Sequence, residues 1–210
     1  MQRPKVETLT LGALDTNCYI VWCPESLEAV IIDPADSGQT IIDRLLQLSL
    51  KPTAILLTHG HFDHVLGVLE LYMAYDMPVY LHKNDIPLIK NAQKSAQHWV
   101  GHETDPVPTP THFLSEGSTF SFGNCQLVTV ETPGHTPGSV SFIATVEAEQ
   151  PPLIFSGDTL FKNGVGRTDF KYSSPVALEK SVKKLLSYPA SSFVYSGHGE
   201  VTSVAAESER

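Results

Sequence analysis

The sequence predicts an α/β fold in which two mixed sheets pack face to face, with helices on their outer sides. Three observations point there. Short apolar runs alternate with stretches of helical spacing. The series occurs twice, on either side of a proline-rich stretch at Pro106, Pro108 and Pro110. The chain has 210 residues, 41 % hydrophobic and 18 % charged, which suits one folded domain over residues 1–210 and argues against disorder.

The elements follow in order. Val6 to Leu11 alternates with period two, as a half-buried strand does. Cys18 to Trp22 and Ala29 to Ile32 are compact β-rich runs. Gln39 to Leu48 places Ile41, Ile42, Leu45, Leu46 and Leu48 at helical spacing. Ala54 to Leu57 reads as a buried strand, Val65 to Tyr75 as a helix, and Val79 to Leu81 as a further strand. Periodicity then fades from Gln93 to Thr111, which predicts a loop, with room for a short helix before it; a loop of that length is either a binding lid or a surface excursion. The second half brings strands at Thr119–Phe122, Gln126–Glu131, Ser139–Thr145 and Leu153–Phe155. A helix follows over Pro175–Leu186, with proline suited to its first turn, and then a last strand at Phe193–Tyr195.

Charge and composition narrow the function classes. The formal net charge of -9 opposes a nucleic-acid partner. No window approaches the length of apolar residues that a membrane span requires. The N-terminal residues lack the apolar core of a signal peptide, so the cytoplasm is the expected compartment. Three cysteines, Cys18, Cys23 and Cys125, form no CxxC pair, which argues against a disulfide framework or a thiolate zinc site.

The histidines are unevenly spread. His59, His61, Asp63 and His64 lie between a strand end and a helix start, held by rigid elements yet pointing out of the core. Imidazole and carboxylate suit zinc, iron, manganese or nickel, whereas calcium takes more oxygens. Four such ligands in six positions do not easily converge on one tetrahedral centre. Two ions are the simpler geometry, with His59 and His61 on one and Asp63 and His64 on the other. Three later residues share a second pattern of apolar strand, glycine and ligand-capable side chain: His135 after Gly134, Asp158 after Gly157 and His198 after Gly197. Strands lying side by side end at one edge, so these residues can converge there. His82, His98, His102 and His112 have no such context and are expected to be non-ligands.

The run His59-Gly60-His61-Phe62-Asp63-His64 resembles the HxHxDH signature of the metallo-β-lactamase superfamily. The match continues with Asp33, His135, Asp158 and His198. Ser156 to Phe161 and Gly164 to Arg167 further resemble glyoxalase II, the hydroxyacylglutathione hydrolases, and their short bacterial relatives. The resemblance implies an αββα sandwich with the site between the sheets. It implies one ion on His59, His61 and His135, a second on Asp63, His64 and His198, and Asp158 bridging them, with Asp33 steadying the ligand turn. Zinc is the first expectation for both ions, with iron and manganese as alternatives. Two cations about 3.5–4 Å apart share a water and lower its pKa to roughly 7, so a bridging hydroxide attacks a carbonyl, with Asp63 and Asp158 orienting it.

The expected substrate is a small thioester such as S-2-hydroxyacylglutathione, because a thiolate leaves with little acid help. The resemblance puts Arg167 on the glutathione glycine carboxylate; the other reading pairs it with Asp169. A C-terminal helical region like the one with which longer relatives bind glutathione is not expected here. Alternatives on the same fold are an iron-dependent persulfide dioxygenase, a lactone or ester hydrolase, and a non-catalytic metal-binding protein.

Overall fold

A computed structural model describes residues 1–101, 103–110, 112–144 and 150–209. One sheet orders its strands β1 (Lys5–Leu11), β2 (Thr16–Trp22), β3 (Glu28–Ile32), β4 (Lys51–Leu56), β5 (Val79–His82) and β6 (His112–Leu114). Its first three strands are antiparallel, and β3 through β6 are parallel. The second sheet contains β7 (Thr119–Phe122), β8 (Cys125–Glu131), β9 (Val140–Ala144), β10 (Leu153–Gly157), β13 (Phe193–Ser196) and β14 (Thr202–Ser203), in the order β14-β13-β10-β9-β8-β7. Only its β10–β13 pair is parallel. Both sheets are therefore mixed, as expected.

Period-two alternation explains the layering. Tyr19, Val21, Val30, Ile32 and Leu56 of the first sheet pack against Phe122, Leu127, Phe142 and Phe155 of the second, and all are buried. The alternate residues Ile20, Ile31 and Ile55 turn outward, onto Ile41 and Leu45 of α1 (Gly38–Gln47) and Val68 and Leu71 of α2 (Val68–Tyr75). On the far side Ile143, Ile154 and Val194 meet Leu185 of α5 (Pro175–Leu186). The central strands are buried on both faces, so they read as continuous apolar runs. The Ser174 hydroxyl caps α5 by accepting from the Ala177 N–H, with Pro175 in the first turn. Among the described residues no helix is long and apolar enough to cross a membrane.

The chain departs from expectation in a few places. The expected loop at Gln93–Thr111 begins as helix: α3 (Ile86–Lys90) precedes it and α4 (Ala92–Val100) fills its first part. The face that α4 buries is Ala92 and Ala96, four apart, and alanines give a weak hydropathic signal. Thr111, His102 and Thr145, which belonged to the expected loop, histidine set and strand, lie outside the described residues. A small hairpin, β11 (Leu160–Phe161) with β12 (Gly164–Val165), and a terminal helix, α6 (Val204–Ser208), complete the chain and are too short to show periodicity.

Candidate metal centre

Four strand ends build the site. The turn after β4 carries His59 and His61 and runs into a short 3-10 turn, Phe62–His64, that holds Asp63 and His64. Strands β8, β10 and β13 run in the same direction and deliver His135, Asp158 and His198 to the edge that faces this turn. All seven expected ligands come together. One ligand atom from each of His59, His61, His135 and Asp158 lies within 4.8 Å of the others, and the same holds for Asp63, His64 and His198.

Hydrogen bonds on the far side of each ring decide which nitrogen faces the centre. His135 Nδ1 donates to the Arg167 carbonyl at 2.8 Å, and His198 Nδ1 to the Leu14 carbonyl at 3.0 Å. A carbonyl only accepts, so Nδ1 carries the hydrogen and, in the neutral ring that a metal requires, Nε2 holds the lone pair. Thr58 Oγ1 donates to Asp33 Oδ2 at 2.6 Å and therefore accepts from His59 Nδ1 at 3.0 Å. The His61 Nε2 pairs with the Tyr172 hydroxyl at 2.8 Å. The inward atoms then crowd together. His61 Nδ1 is 3.1 Å from His59 Nε2 and 2.9 Å from His135 Nε2. Nitrogens sharing a tetrahedral zinc ion at about 2.0–2.1 Å stand about 3.3 Å apart, close to this spacing.

The second set shows the same preparation. His64 Nε2 sits 3.4 Å from Asp63 Oδ2 and 3.5 Å from Asp158 Oδ1, and His198 Nε2 sits 3.3 Å from Asp63 Oδ2. Asp158 also reaches His135 Nε2 at 3.4 Å through its other oxygen, so it touches both sets. Both His64 Nε2 and Asp158 Oδ1 are buried without a hydrogen-bond partner. Buried polar atoms seldom go unpaired, and two such atoms aimed at one point fit a cation there. The donor chemistry and the orphaned atoms together make these groups suitable for two metal ions.

Asp33 also lies near His59 and His64, but its carboxylate is occupied. It accepts from Thr58 N–H at 2.7 Å, from Thr58 Oγ1 and from His64 Nδ1 at 2.9 Å. Asp33 thus fixes the His64 ring and the start of the turn at Thr58 from behind. Titration behaviour follows this packing. Burial, then the neighbouring His64 charge, drives His59 well below its usual range, and burial with His135 brings His61 down to about 3. Burial opposes charge on His64 too, yet Asp63, Asp158 and Asp33 outweigh it and push its pKa up to about 10.

Arg167 stands at the rim. Its guanidinium makes a two-pronged pair with Asp169, at 2.7 and 2.6 Å, and lies 4.6 Å over the Phe170 ring. Phe170 in turn stacks on Tyr172, centroids 5.3 Å apart, and its ring centroid is 5.2 Å from that of His61. Sequence reasoning missed this aromatic wall, since Phe170 and Tyr172 carry no motif. Leu11, Leu14, Phe62, Leu66 and Val100 line a small cleft beside Asp63.

Comparison with known proteins agrees with this geometry. A hydroxyacylglutathione hydrolase, GloC, of Haemophilus influenzae is 30 % identical over 204 residues, 96 % of this chain and 94 % of that protein. The solved structure of TTHA1623 in a di-iron-bound form is 40 % identical, with a TM-score of 0.86 and 97 % of each chain covered. A solved B3 metallo-β-lactamase, BLEG-1, is 33 % identical, with a TM-score of 0.88 over 98 % of this chain and 97 % of that one. The model of the metallo-beta-lactamase superfamily matches residues 11–198, and the chain belongs to that superfamily.

Proposed function

We propose that the protein is a two-metal hydrolase of small thioesters, with S-2-hydroxyacylglutathione as the model substrate. One observation carries this reading: two three-residue sets, each with its ligand atoms clustered, meet at the Asp158 carboxylate. In this reading His59, His61 and His135 would hold one ion and Asp63, His64 and His198 the other, with Asp158 available to both sets. When bound, such a pair lowers the pKa of water to about 7 and polarises a carbonyl oxygen.

The chain's own residues do the rest. Asp63 and Asp158 orient the attacking water as the catalytic carboxylates. The Thr16 hydroxyl donates to Asp63 Oδ2 at 3.0 Å and fixes that carboxylate's rotation. Phe170 and Tyr172 stack beside His61, and Leu11, Leu14 and Val100 line the cleft beside Asp63, so apolar side chains flank both ligand sets. A thiolate is a stable leaving group, so a site whose histidines all serve as ligands suits a thioester. Arg167 is the candidate contact for a substrate carboxylate; Asp169 competes for the same fork.

Similarity to GloC supports the thioester, and similarity to a di-iron protein supports two ions and keeps iron beside zinc and manganese as a candidate metal. A persulfide dioxygenase uses one iron on two histidines and an aspartate; the full Asp63, His64 and His198 set favours two ions. The test is hydrolysis of S-lactoylglutathione by protein reconstituted separately with zinc, iron and manganese, beside His59→Ala. Turnover that disappears in the variant supports the reading. No turnover by protein shown to hold two ions rejects the thioester, and lactones, β-lactams and persulfides become the next substrates.

A further inference from the structure

Asp85 stands outside every motif of the sequence and is fully buried, at the entry to α3. Its carboxylate accepts three hydrogen bonds from the two turns that carry the first histidine set. Oδ2 accepts from the Gly60 N–H at 3.0 Å and from the Thr136 hydroxyl at 2.6 Å, and Oδ1 accepts from the Gly138 N–H at 2.7 Å. Gly60 lies between His59 and His61, and Thr136 follows His135 directly. The first turn extends from β4 of one sheet and the second from β8 of the other. One carboxylate therefore joins the ligand turns of both sheets.

The packing around it leaves no slack. A Cβ on Gly138 would meet Asp85 Oδ1 at 2.6 Å, and a Cβ on Gly60 would meet the Asp85 carbonyl oxygen at 2.8 Å. These two glycines are thus explained by the close approach of Asp85. Thr136 is held in turn by Ser139: its N–H donates to Ser139 Oγ at 3.1 Å and the two hydroxyls stand 2.7 Å apart. All three groups facing the carboxylate are donors, so only a group that accepts on both oxygens serves them all.

We propose that Asp85 is a positioning residue that sets the distance of His59 and His61 from His135, and so builds the first metal site before an ion arrives. This rests on the reading of those three histidines as one ion's ligands. An asparagine at 85 keeps the shape but turns an NH2 group towards an N–H or hydroxyl donor. It must give up the bonds on one oxygen, either the one from Gly138 or those from Gly60 and Thr136 together, so the link between the two turns is weakened or broken. The second set, Asp63, His64 and His198, makes no hydrogen bond to Asp85 among the described residues.

The experiment compares wild-type, Asp85→Asn, Thr136→Val and His135→Ala proteins loaded with cobalt(II). Ions per chain are counted against a graded chelator, and the visible spectrum of each bound ion is recorded. Melting of each metal-free protein is measured alongside. The expected result is a roughly 10- to 100-fold loss of affinity at one ion only in Asp85→Asn. The lost band matches the one lost in His135→Ala, the metal-free melting stays close to wild type, and Thr136→Val shows a smaller loss at the same ion. Equal affinity at both ions in a folded Asp85→Asn overturns the proposal, as does equal weakening of both. If Asp85→Asn does not fold, Thr136→Val decides alone: selective loss supports the proposal and unchanged affinity overturns it. A wild-type protein that binds a single ion defeats the two-ion reading itself, which is a separate outcome.

Discussion

His64 Nδ1 lies 2.9 Å from Asp33 Oδ2, and this contact aims His64 Nε2 at Asp63 and Asp158. Asp33 has a positive φ of 49°, a conformation that asparagine also tolerates. Asp33→Asn therefore keeps the turn but loses an acceptor, either for the Thr58 N–H or for the Thr58 hydroxyl and His64 together. The account predicts a folded variant whose second ion binds about 10- to 100-fold more weakly, read by chelator competition. Unchanged affinity would show that Asp33 serves the turn alone.

The charge state of the metal-free site separates the two ions. His64, with its pKa pushed up to about 10, carries a proton at pH 7, whereas His59 and His61 are already neutral. A ligating imidazole must be neutral. Loading the Asp63, His64 and His198 set thus releases at least one proton at pH 7, and loading the other set releases none from His59 or His61. Calorimetry in buffers of different ionisation enthalpy counts these protons. The same shifts give the metal-free protein a stability maximum between two limits. The His64 contribution is full below the ordinary value of 6.5 and is lost as pH rises through about 10. The burial of neutral His61 costs stability as pH falls from 6.5 towards about 3.

Gly197 precedes His198 and packs against the centre. A Cβ there would meet Asp158 Oδ1 at 2.2 Å and His64 Cε1 at 2.8 Å. Gly197→Ala must push Asp158 aside by a large fraction of an ångström. The expected result is a loss of activity of roughly 100-fold, as for other misplacements of that size, together with weaker binding of the second ion. Metal analysis and steady-state kinetics on one preparation check it.

How much of this was legible in the sequence depends on the kind of signal. The seven candidate ligands, which the structure brings together, were readable because each sits on a polar turn straight after an apolar strand, and because His59 to His64 packs four donors into six positions. The two-sheet architecture was readable because compact apolar runs such as β2 and β3 alternate with stretches of helical spacing, with period two plain in β1. Helix α4 was not, since its buried face is made of Ala92 and Ala96. Asp85 was not, since a buried acid in Lys83-Asn84-Asp85 looks like a solvated one until its three donors are seen. For Arg167 the sequence left two readings, a substrate carboxylate or Asp169, and the structure shows the pair with Asp169 formed.

That pairing bears on substrate affinity. Asp169 is exposed, and its hydrogen bonds from Arg167 hold its pKa at about 2, so the pair persists at neutral pH. Asp169→Asn releases the guanidinium for a two-pronged contact with a substrate carboxylate. The account predicts a several-fold lower KM for S-lactoylglutathione in Asp169→Asn and a several-fold higher one in Arg167→Ala, with melting temperatures unchanged in both. Identical KM values in all three proteins would remove Arg167 from substrate recognition.

The most direct test titrates the metal-free protein with zinc, or with iron under anaerobic conditions. Ions bound per chain and turnover of S-lactoylglutathione are measured on the same samples. The account predicts two ions per chain and turnover that rises with the second ion. Full turnover at one ion per chain, or saturation at a single ion, would contradict it.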